Sequence, residues 1–264
     1  QIQPKNFALK SQFINTMLFE SSVPNNKIFE ESKDWNQNFN RQQTTKLNQF
    51  ENRQRDSQKR LKLGILSTAF QERLINDCVA PVLNSLCAEK FESTLYTDGN
   101  DTAKLHAVHQ HCASIKTSSH LSDIELQQLV VEDEIDILFD MTGHFAKNRL
   151  SCIASGAAPV QVNWLGYPAT TGLTKPNIIF GDQYTIPPQS QKNYSEQIVR
   201  IAACYLCFSP SKTISTAPAP PINRLSPCTF GCFSDARHLS IDVITAWSQV
   251  LADSRESKLM LMNQ

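Results

Sequence analysis

The sequence has no long hydrophobic run and no excess of charge of either sign. No apolar segment approaches the ~20 residues that a helix needs to span a bilayer. The 25 basic residues are balanced by 25 acidic ones among 264, so no overall field favours nucleic acid or a membrane surface as a partner. The absence of a G-x-G-x-x-G after the first strand and of a Walker loop argues against nicotinamide dehydrogenases and P-loop NTPases. No G-x-S-x-G nucleophile elbow is present either.

The start of the chain lacks the basic-then-apolar pattern of a signal peptide. Gln1 is not an initiator methionine, and an apolar strand at 258–262 stops almost with the chain. A strand at the end of an α/β unit normally leads into another helix, so we predict that the chain is a fragment of a longer protein. The eight cysteines are scattered through an α/β pattern, which favours reduced thiols and a cytoplasmic protein over a disulfide framework.

Two groups of side chains deserve a test as metal ligands. Four cysteines are spaced roughly as in a zinc ribbon: Cys204, Cys207, Cys228 and Cys232. Both pairs lie in apolar, strand-like runs, where alternate residues point to opposite faces, so we predict no zinc site. His106 and His109 could share one face of a helix, but no further ligand completes that site. No metal is predicted.

Short apolar runs alternate with helical patterns through the middle of the chain. The predicted strands are 61–67, 91–96, 112–115, 136–140, 160–165, 177–180 and 196–201. The predicted helices between them are 74–86, 103–111, 123–131 and 147–155, of which the third begins with a capping box, Ser122-Asp-Ile-Glu125. Strands alternating with helices predict an α/β fold with a doubly wound, parallel sheet.

The composition divides the chain into four segments. Residues 1–60 form a helical segment, with one amphipathic helix over 25–40, followed by a polar linker. Residues 61–212 form a Rossmann-like domain, and the proline-rich residues 213–227 form a linker. Residues 228–264 contain one strand–helix–strand pattern and begin a second Rossmann-like domain.

The stretch from Asp136 to Gly172 carries the candidate functional residues. His144 follows a predicted buried strand, and the loop Gly166–Gly172 follows the next strand. Open α/β sheets bind ligands at the carboxyl ends of their strands. The loop offers hydroxyls, glycines and backbone N–H groups, which suit a polar or phosphorylated ligand.

This stretch also resembles a known family. T-G-H-x-x-x-N-R-L followed by A-P-V-Q-V-x-W-L-G-Y-P-x-T-T-G is similar to the signature of the O-linked N-acetylglucosamine transferases and the SPINDLY-like protein O-glycosyltransferases. The resemblance implies a GT-B architecture, two Rossmann-like domains with a nucleotide-sugar donor between them, and tetratricopeptide repeats upstream. The implied donor is UDP-N-acetylglucosamine or GDP-fucose, the acceptor a Ser or Thr of a protein, and no cofactor is needed.

The resemblance assigns roles to individual residues. His144 and Arg73 are the candidate catalytic residues, since Arg73 stands where the family has a histidine after the first strand. The candidate donor- or acceptor-binding residues are Gly166, Tyr167, Pro168, Thr170, Thr171, Gly172, Asp235, Arg237 and His238. Of these, His238 replaces a family lysine that neutralises the donor diphosphate.

Several family positions are altered, which leaves a second interpretation open. Besides Arg73 and His238, Gly156-Ala157 replaces the family's Arg-Pro, and Ser234 replaces an asparagine. A neutral histidine is a poorer phosphate partner than a lysine, although Arg237 could substitute. The chain could therefore be a catalytically inactive relative that acts as a protein- or nucleotide-binding module.

Overall fold

The computed structural model describes residues 6–42, 50, 58–67, 75–99, 108, 111–174, 177–209, 227–254 and 256–262. By their internal contacts the residues form two units. The first comprises Gln1–Asn15 and Asn25–Lys212, and the second comprises Thr16–Pro24 and Thr213–Gln264.

The first unit is built on one parallel sheet of seven strands. In chain order these are β1 (Leu61–Ser67), β2 (Phe91–Thr97), β3 (Ser114–Thr117), β4 (Ile137–Asp140), β5 (Val160–Asn163), β6 (Asn177–Gly181) and β7 (Gln197–Arg200). Their order across the sheet is β3-β2-β1-β4-β5-β6-β7, with every pair parallel. This arrangement confirms the predicted doubly wound α/β fold. The order reverses between β1 and β4, and such a switch point is where ligands bind in open α/β sheets.

Helices connect these strands. The segment after β1 enters a π-helical turn, Ile75–Val79, and continues as α3 (Ala80–Ser85). The helix α4 (Asp123–Glu132) begins with the predicted capping box, since Ser122 and Glu125 bond each other's backbone N–H. The helix α5 (Leu150–Ala154) is shorter than the predicted 147–155. The predicted helix over 103–111 lies largely outside the described residues.

An apolar core fills the space between one face of the sheet and α3. Its buried members include Ile65, Cys78, Leu83, Leu95 and Val162. Trp164, which follows β5, is buried and belongs to the same cluster.

Two helices precede the sheet. These are α1 (Phe7–Met17) and α2 (Asn25–Gln42), and α2 confirms the amphipathic helix predicted over 25–40. Trp35 of α2 is buried and donates from Nε1 to the carbonyl of Phe7 at 3.0 Å. Lys10 pairs with Glu31 across the two helices. Aromatic packing and this ion pair join the helices into one helical pair.

The second unit contains a small parallel sheet. The strands β8 (Thr229–Cys232) and β9 (Lys258–Leu261) pair in parallel, and α6 (Ile241–Asp253) connects them. Ser240 caps α6 by accepting the Val243 N–H at 3.4 Å. Across the part of the chain that the structure describes, no helix is long and apolar enough to cross a membrane.

Candidate functional site

Asp140, the last residue of β4, shapes the turn that carries His144. Its carboxylate accepts the Thr142 N–H at 2.9 Å, the Thr142 hydroxyl at 2.7 Å and the Gly143 N–H at 3.1 Å. Burial raises the pKa of Asp140, although these three hydrogen bonds act in the opposite direction. Gly143 has φ 48°, and a Cβ there would lie 2.4 Å from the ring of Tyr167, so the turn requires glycine.

His144 is fully buried and has a protein partner on each ring nitrogen. Nε2 lies 2.9 Å from the carbonyl oxygen of Thr171, and Nδ1 lies 2.9 Å from the hydroxyl of Ser11. A carbonyl only accepts, so we assign the proton to Nε2, and the Ser11 hydroxyl donates to Nδ1. The rings of Trp35 and Tyr167 meet the imidazole edge-on at 5.6 Å and 5.7 Å. Within this arrangement the imidazole holds the loop and the helical pair together.

The same burial makes His144 neutral at physiological pH. Its pKa is lowered to about 4, chiefly by burial and also by the charge of Lys10, while the bond to Thr171 acts against the change. The lone pair on Nδ1 accepts the Ser11 proton and is not free to accept another. A role for His144 as a general base would therefore require the bond to Ser11 to open.

The loop Gly166–Gly172 is fixed by a buried carboxylate, that of Glu196. One carboxylate oxygen accepts the N–H and the hydroxyl of Thr171, each at 2.6 Å. The other accepts the hydroxyl of Thr170 at 2.6 Å. Hydrogen bonds to a carboxylate are strong, so Glu196 holds both threonines in one geometry.

The ends of this loop are constrained by the backbone. Leu165, just before the loop, has φ 86°, a strained conformation of the kind that clusters at functional sites. A Cβ on Gly172 would lie 2.2 Å from the carbonyl oxygen of Ser32 in α2. Pro168 is exposed, whereas Tyr167 is buried, and its hydroxyl has no hydrogen-bond partner among the described residues. The exposed part of the loop is thus small and lies around Pro168.

The remaining predicted site residues lie elsewhere in the chain. Arg73 lies outside the described residues. In the second unit, Asp235 binds the guanidinium of Arg237 through both carboxylate oxygens, at 3.1 Å and 2.9 Å. Arg237 also lies 5.4 Å from the ring of Phe19. His238 ends the short 3-10 turn that precedes α6. Any phosphate bound by Arg237 would compete with Asp235.

Three residues that contribute to this site were not predicted from the sequence. Ser11, Trp35 and Glu196 all lie far along the chain from the residues they contact. No local pattern marks them, because their roles depend on how α1, α2 and the residue before β7 pack around the loop. Within the described ranges, no three His, Cys, Asp or Glu side chains are grouped so that they could hold a metal ion.

The chain is similar to known proteins in both sequence and structure. The sequence profile of glycosyl transferase family 41 matches residues 35–211. The probable UDP-N-acetylglucosamine–peptide N-acetylglucosaminyltransferase SPINDLY of Arabidopsis thaliana is 28% identical over 266 residues, which cover 97% of this chain and 28% of that protein. The Arabidopsis protein SEC, given the same probable activity, is 23% identical over 77% of this chain and 22% of its own length.

A solved structure has the same fold. A mutant of the O-GlcNAc transferase of Thermobaculum terrenum superposes with a TM-score of 0.84 at 25% identity, over 98% of this chain and 49% of the solved chain. The chain thus spans about half of that transferase and less than a third of the plant relatives.

Proposed function

The chain belongs to glycosyl transferase family 41, and from this premise we propose that it carries part of a protein O-glycosyltransferase. The proposed reaction transfers N-acetylglucosamine or fucose from UDP-N-acetylglucosamine or GDP-fucose to a Ser or Thr of an acceptor protein. The family match, which includes the loop Gly166–Gly172, is the observation that carries this proposal.

The proposed chemistry is a direct displacement at the anomeric carbon. The acceptor hydroxyl oxygen forms the new bond to carbon, the bond from that carbon to the diphosphate breaks, and the diphosphate leaves with the electron pair. The hydroxyl loses its proton during transfer, and the proton passes to the departing diphosphate or to solvent. Such a reaction depends on positioning and on stabilising the leaving diphosphate, so no cofactor is required.

The structure supports a role for the loop in positioning a ligand. It follows β5, which is the neighbour of β4 on one side of the switch point. Its two threonines are held by Glu196, and the buried Tyr167 hydroxyl offers an unused polar group. Pre-organised loops of this kind lower the entropy that a bound substrate loses.

One observation favours a second candidate, a binding module without catalysis. Both ring nitrogens of His144 are occupied by protein groups, so the histidine acts here as a structural residue. Together with Arg73 and His238 at family positions, this is consistent with a degenerate relative that retains the fold and a protein or nucleotide surface.

An assay on the 264-residue chain separates the two candidates. The chain is incubated with labelled UDP-N-acetylglucosamine or GDP-fucose and acceptor protein, and both label transfer and thermal stabilisation are measured. Transfer supports the enzyme, whereas stabilisation without transfer supports the module. At 100 times the dissociation constant, binding should stabilise the fold by about 2.7 kcal/mol. If neither transfer nor stabilisation is observed, both the enzyme and a nucleotide-binding module are contradicted.

A matched pair of variants tests the loop. Pro168→Ala changes the exposed part of the loop, and Pro188→Ala changes an exposed proline in the 3-10 helix Pro188–Asn193. We expect only Pro168→Ala to weaken nucleotide-sugar binding, by a fewfold, because it loosens the loop. Equal effects would count against the loop as the binding element.

Restoring the family residues tests the two altered positions. Arg73→His with His238→Lys should raise transfer if the rest of the site is intact, because a permanent charge stabilises the leaving diphosphate better than a neutral imidazole. Unchanged transfer would contradict the assignment of these two positions.

A further inference from the structure

We propose that Cys204 and Cys207 form a redox-active dithiol that closes reversibly to a disulfide. Through Trp164, this closure affects the loop Gly166–Gly172. The sequence placed this pair in a strand, where the two side chains would diverge. In the structure β7 ends at Arg200, and residues 201–209 form an irregular surface segment in which both cysteines are exposed and reduced. The objection that a strand would separate the two thiols therefore does not apply.

Hydrogen bonds hold the backbone of this segment at Tyr205, between the two cysteines, and at Ser209, after them. The Tyr205 N–H donates to the carboxylate of Asp182 at 3.2 Å, and the Tyr205 carbonyl accepts from Trp164 Nε1 at 3.1 Å. Further on, the Ser209 N–H donates to the carbonyl of Asp77 at 2.8 Å. These bonds fix the backbone while the flanking thiols remain at the surface.

The chain bends at Tyr205, between the two cysteines. The N–H of Leu206 lies 3.4 Å from the Cys204 sulfur, so the side chain folds over the residues that separate the two cysteines. The thiolate of a cysteine is the form that attacks a disulfide, and an exposed thiol is accessible to a small disulfide in solution. Two cysteines separated by two residues are the usual spacing for thiol–disulfide exchange.

A third thiol near this pair is unsuited to the reaction. Burial raises the pKa of Cys78, and the neighbouring Asp77 and Cys207 raise it further. Cys78 is also only 5% exposed. The exposed pair is therefore the reactive one, with Cys78 held as a protonated thiol of the core.

The reaction balances with a small disulfide as the oxidant. The Cys204 thiolate attacks one sulfur of oxidised glutathione, forms a mixed disulfide and releases one glutathione thiolate. The Cys207 thiolate then attacks the Cys204 sulfur and displaces the second glutathione thiolate. Two protein thiols are oxidised to one disulfide, and oxidised glutathione is reduced to two glutathione molecules.

The bond between Trp164 and Tyr205 links this reaction to the candidate site. Trp164 follows β5 and lies two residues before the loop Gly166–Gly172. Closing a ring across Tyr205 changes the backbone that receives the indole N–H. The oxidation state of the pair should therefore change the environment of Trp164.

The test uses the whole chain equilibrated in glutathione buffers that contain a chelator. After alkylation, the oxidised chain is expected to carry two fewer alkyl groups, and peptide mapping should find the disulfide between Cys204 and Cys207. Cys204→Ser should abolish this disulfide. In Cys207→Ser the reaction should stop at a glutathione adduct on Cys204. Cys87→Ser, which removes a solitary exposed thiol, should leave the disulfide between Cys204 and Cys207 intact.

Tryptophan emission provides the second measurement. Oxidation should shift the emission of the wild-type chain, Trp164→Phe should lose that shift, and Trp247→Phe should retain it. The proposal is overturned if all eight thiols stay reduced in oxidised glutathione, or if the disulfide joins other cysteines. It is also overturned if Zn²⁺ alone, without chelator, protects both thiols while oxidised glutathione leaves them reduced. None of these outcomes depends on glycosyl transfer.

Discussion

At the scale of single residues, the site is held together by buried polar side chains, which are stable in a protein interior when they are hydrogen-bonded. The carboxylate of Glu196 and the imidazole of His144 are both buried, and each is bonded to the loop through Thr171. Removing one partner of a buried polar pair leaves the other unsatisfied at a cost of about 1–3 kcal/mol. These two residues should therefore dominate the energetics of the loop.

The depressed pKa of His144 predicts a stability that depends on pH. Its pKa is about 4 in the folded chain and 6.5 without burial. Between these values only the unfolded chain binds the proton, so the free energy of unfolding should fall as the pH is lowered. The expected total loss is about 3 kcal/mol.

Urea unfolding at pH 7, 6, 5 and 4 measures this dependence. His144→Gln should show a shallower decline than the wild type, because it removes the titrating group. His120→Gln, which changes an exposed histidine, should follow the wild type. Equal slopes for all three proteins would contradict burial of a neutral His144.

The close contact of Gly172 with α2 predicts different costs for two alanine substitutions. Gly156 and Gly172 share φ 78°, but a Cβ on Gly156 would meet nothing within 4 Å, whereas one on Gly172 would meet the Ser32 carbonyl. Gly156→Ala should cost about 1–2 kcal/mol from its backbone conformation alone. Gly172→Ala should cost more than about 3 kcal/mol, because a backbone carbonyl must also move. Chemical denaturation that gives equal losses would show that the loop does not rest on α2.

At the scale of elements, the helical pair α1 and α2 is part of the site. Phe7, Trp35 and Phe39 form a ring cluster with centroids 5.3–5.4 Å apart, and the ring of Trp35 also meets that of His144 at a centroid distance of 5.6 Å. The pair therefore packs against the residues of the candidate site and shields the imidazole.

Trp35→Ala should detach this pair from the loop. Loss of a large buried aromatic side chain costs about 3–5 kcal/mol, and His144 should become reactive toward diethyl pyrocarbonate. Phe29→Ala, on the same helix at a half-buried position, should cost less and leave His144 protected. Continued protection of His144 in Trp35→Ala would argue that α2 does not cover it.

The sequence predicted the elements well where a periodic pattern is undisturbed. The strand 61–67 was confirmed to the residue, and the capping box located the start of α4. The prediction for α5 was too long because Lys147 adopts φ 58° and the Asn148 side chain accepts the Leu150 N–H, which delays the start of the helix. The strand predicted over 112–115 begins two residues later, because the Cys112 N–H completes a turn with Val108.

The contacts of the site could not be predicted in the same way. The proximity of His144 to the loop followed from parallel strand ends, since Asp140 and Asn163 pair in register. The hydrogen bonds that Glu196 accepts from the loop could not be predicted, because they join residues 25 positions apart in the sequence. Periodicity reports which face of an element is apolar, but it says nothing about which distant side chain bonds to a loop.

At the scale of the whole molecule, the two units differ in how much they bury. The central strands of the first unit are largely buried, as the patterns of β1 and β5 show. In the second unit, no described side chain of α6 is buried, and β8 and β9 are mainly exposed.

This difference predicts unequal hydrogen exchange. Amides of β8, α6 and β9 should exchange at least about tenfold faster than those of β1 and β5, because elements with little buried apolar surface open more easily. Exchange followed by mass spectrometry measures both units at once. The exposed edge strand β7 is the control within the larger sheet and should lie between the two groups. Uniform protection would contradict the expected difference.

The bond between Ser11 and His144 joins residues 133 positions apart. Contacts of such long separation carry the largest chain-closure entropy and tend to form after local ones. We therefore expect the helical pair to dock late during folding, once the strands that position the imidazole are paired. The loop Gly166–Gly172 would then stay accessible to solvent until the last step of folding.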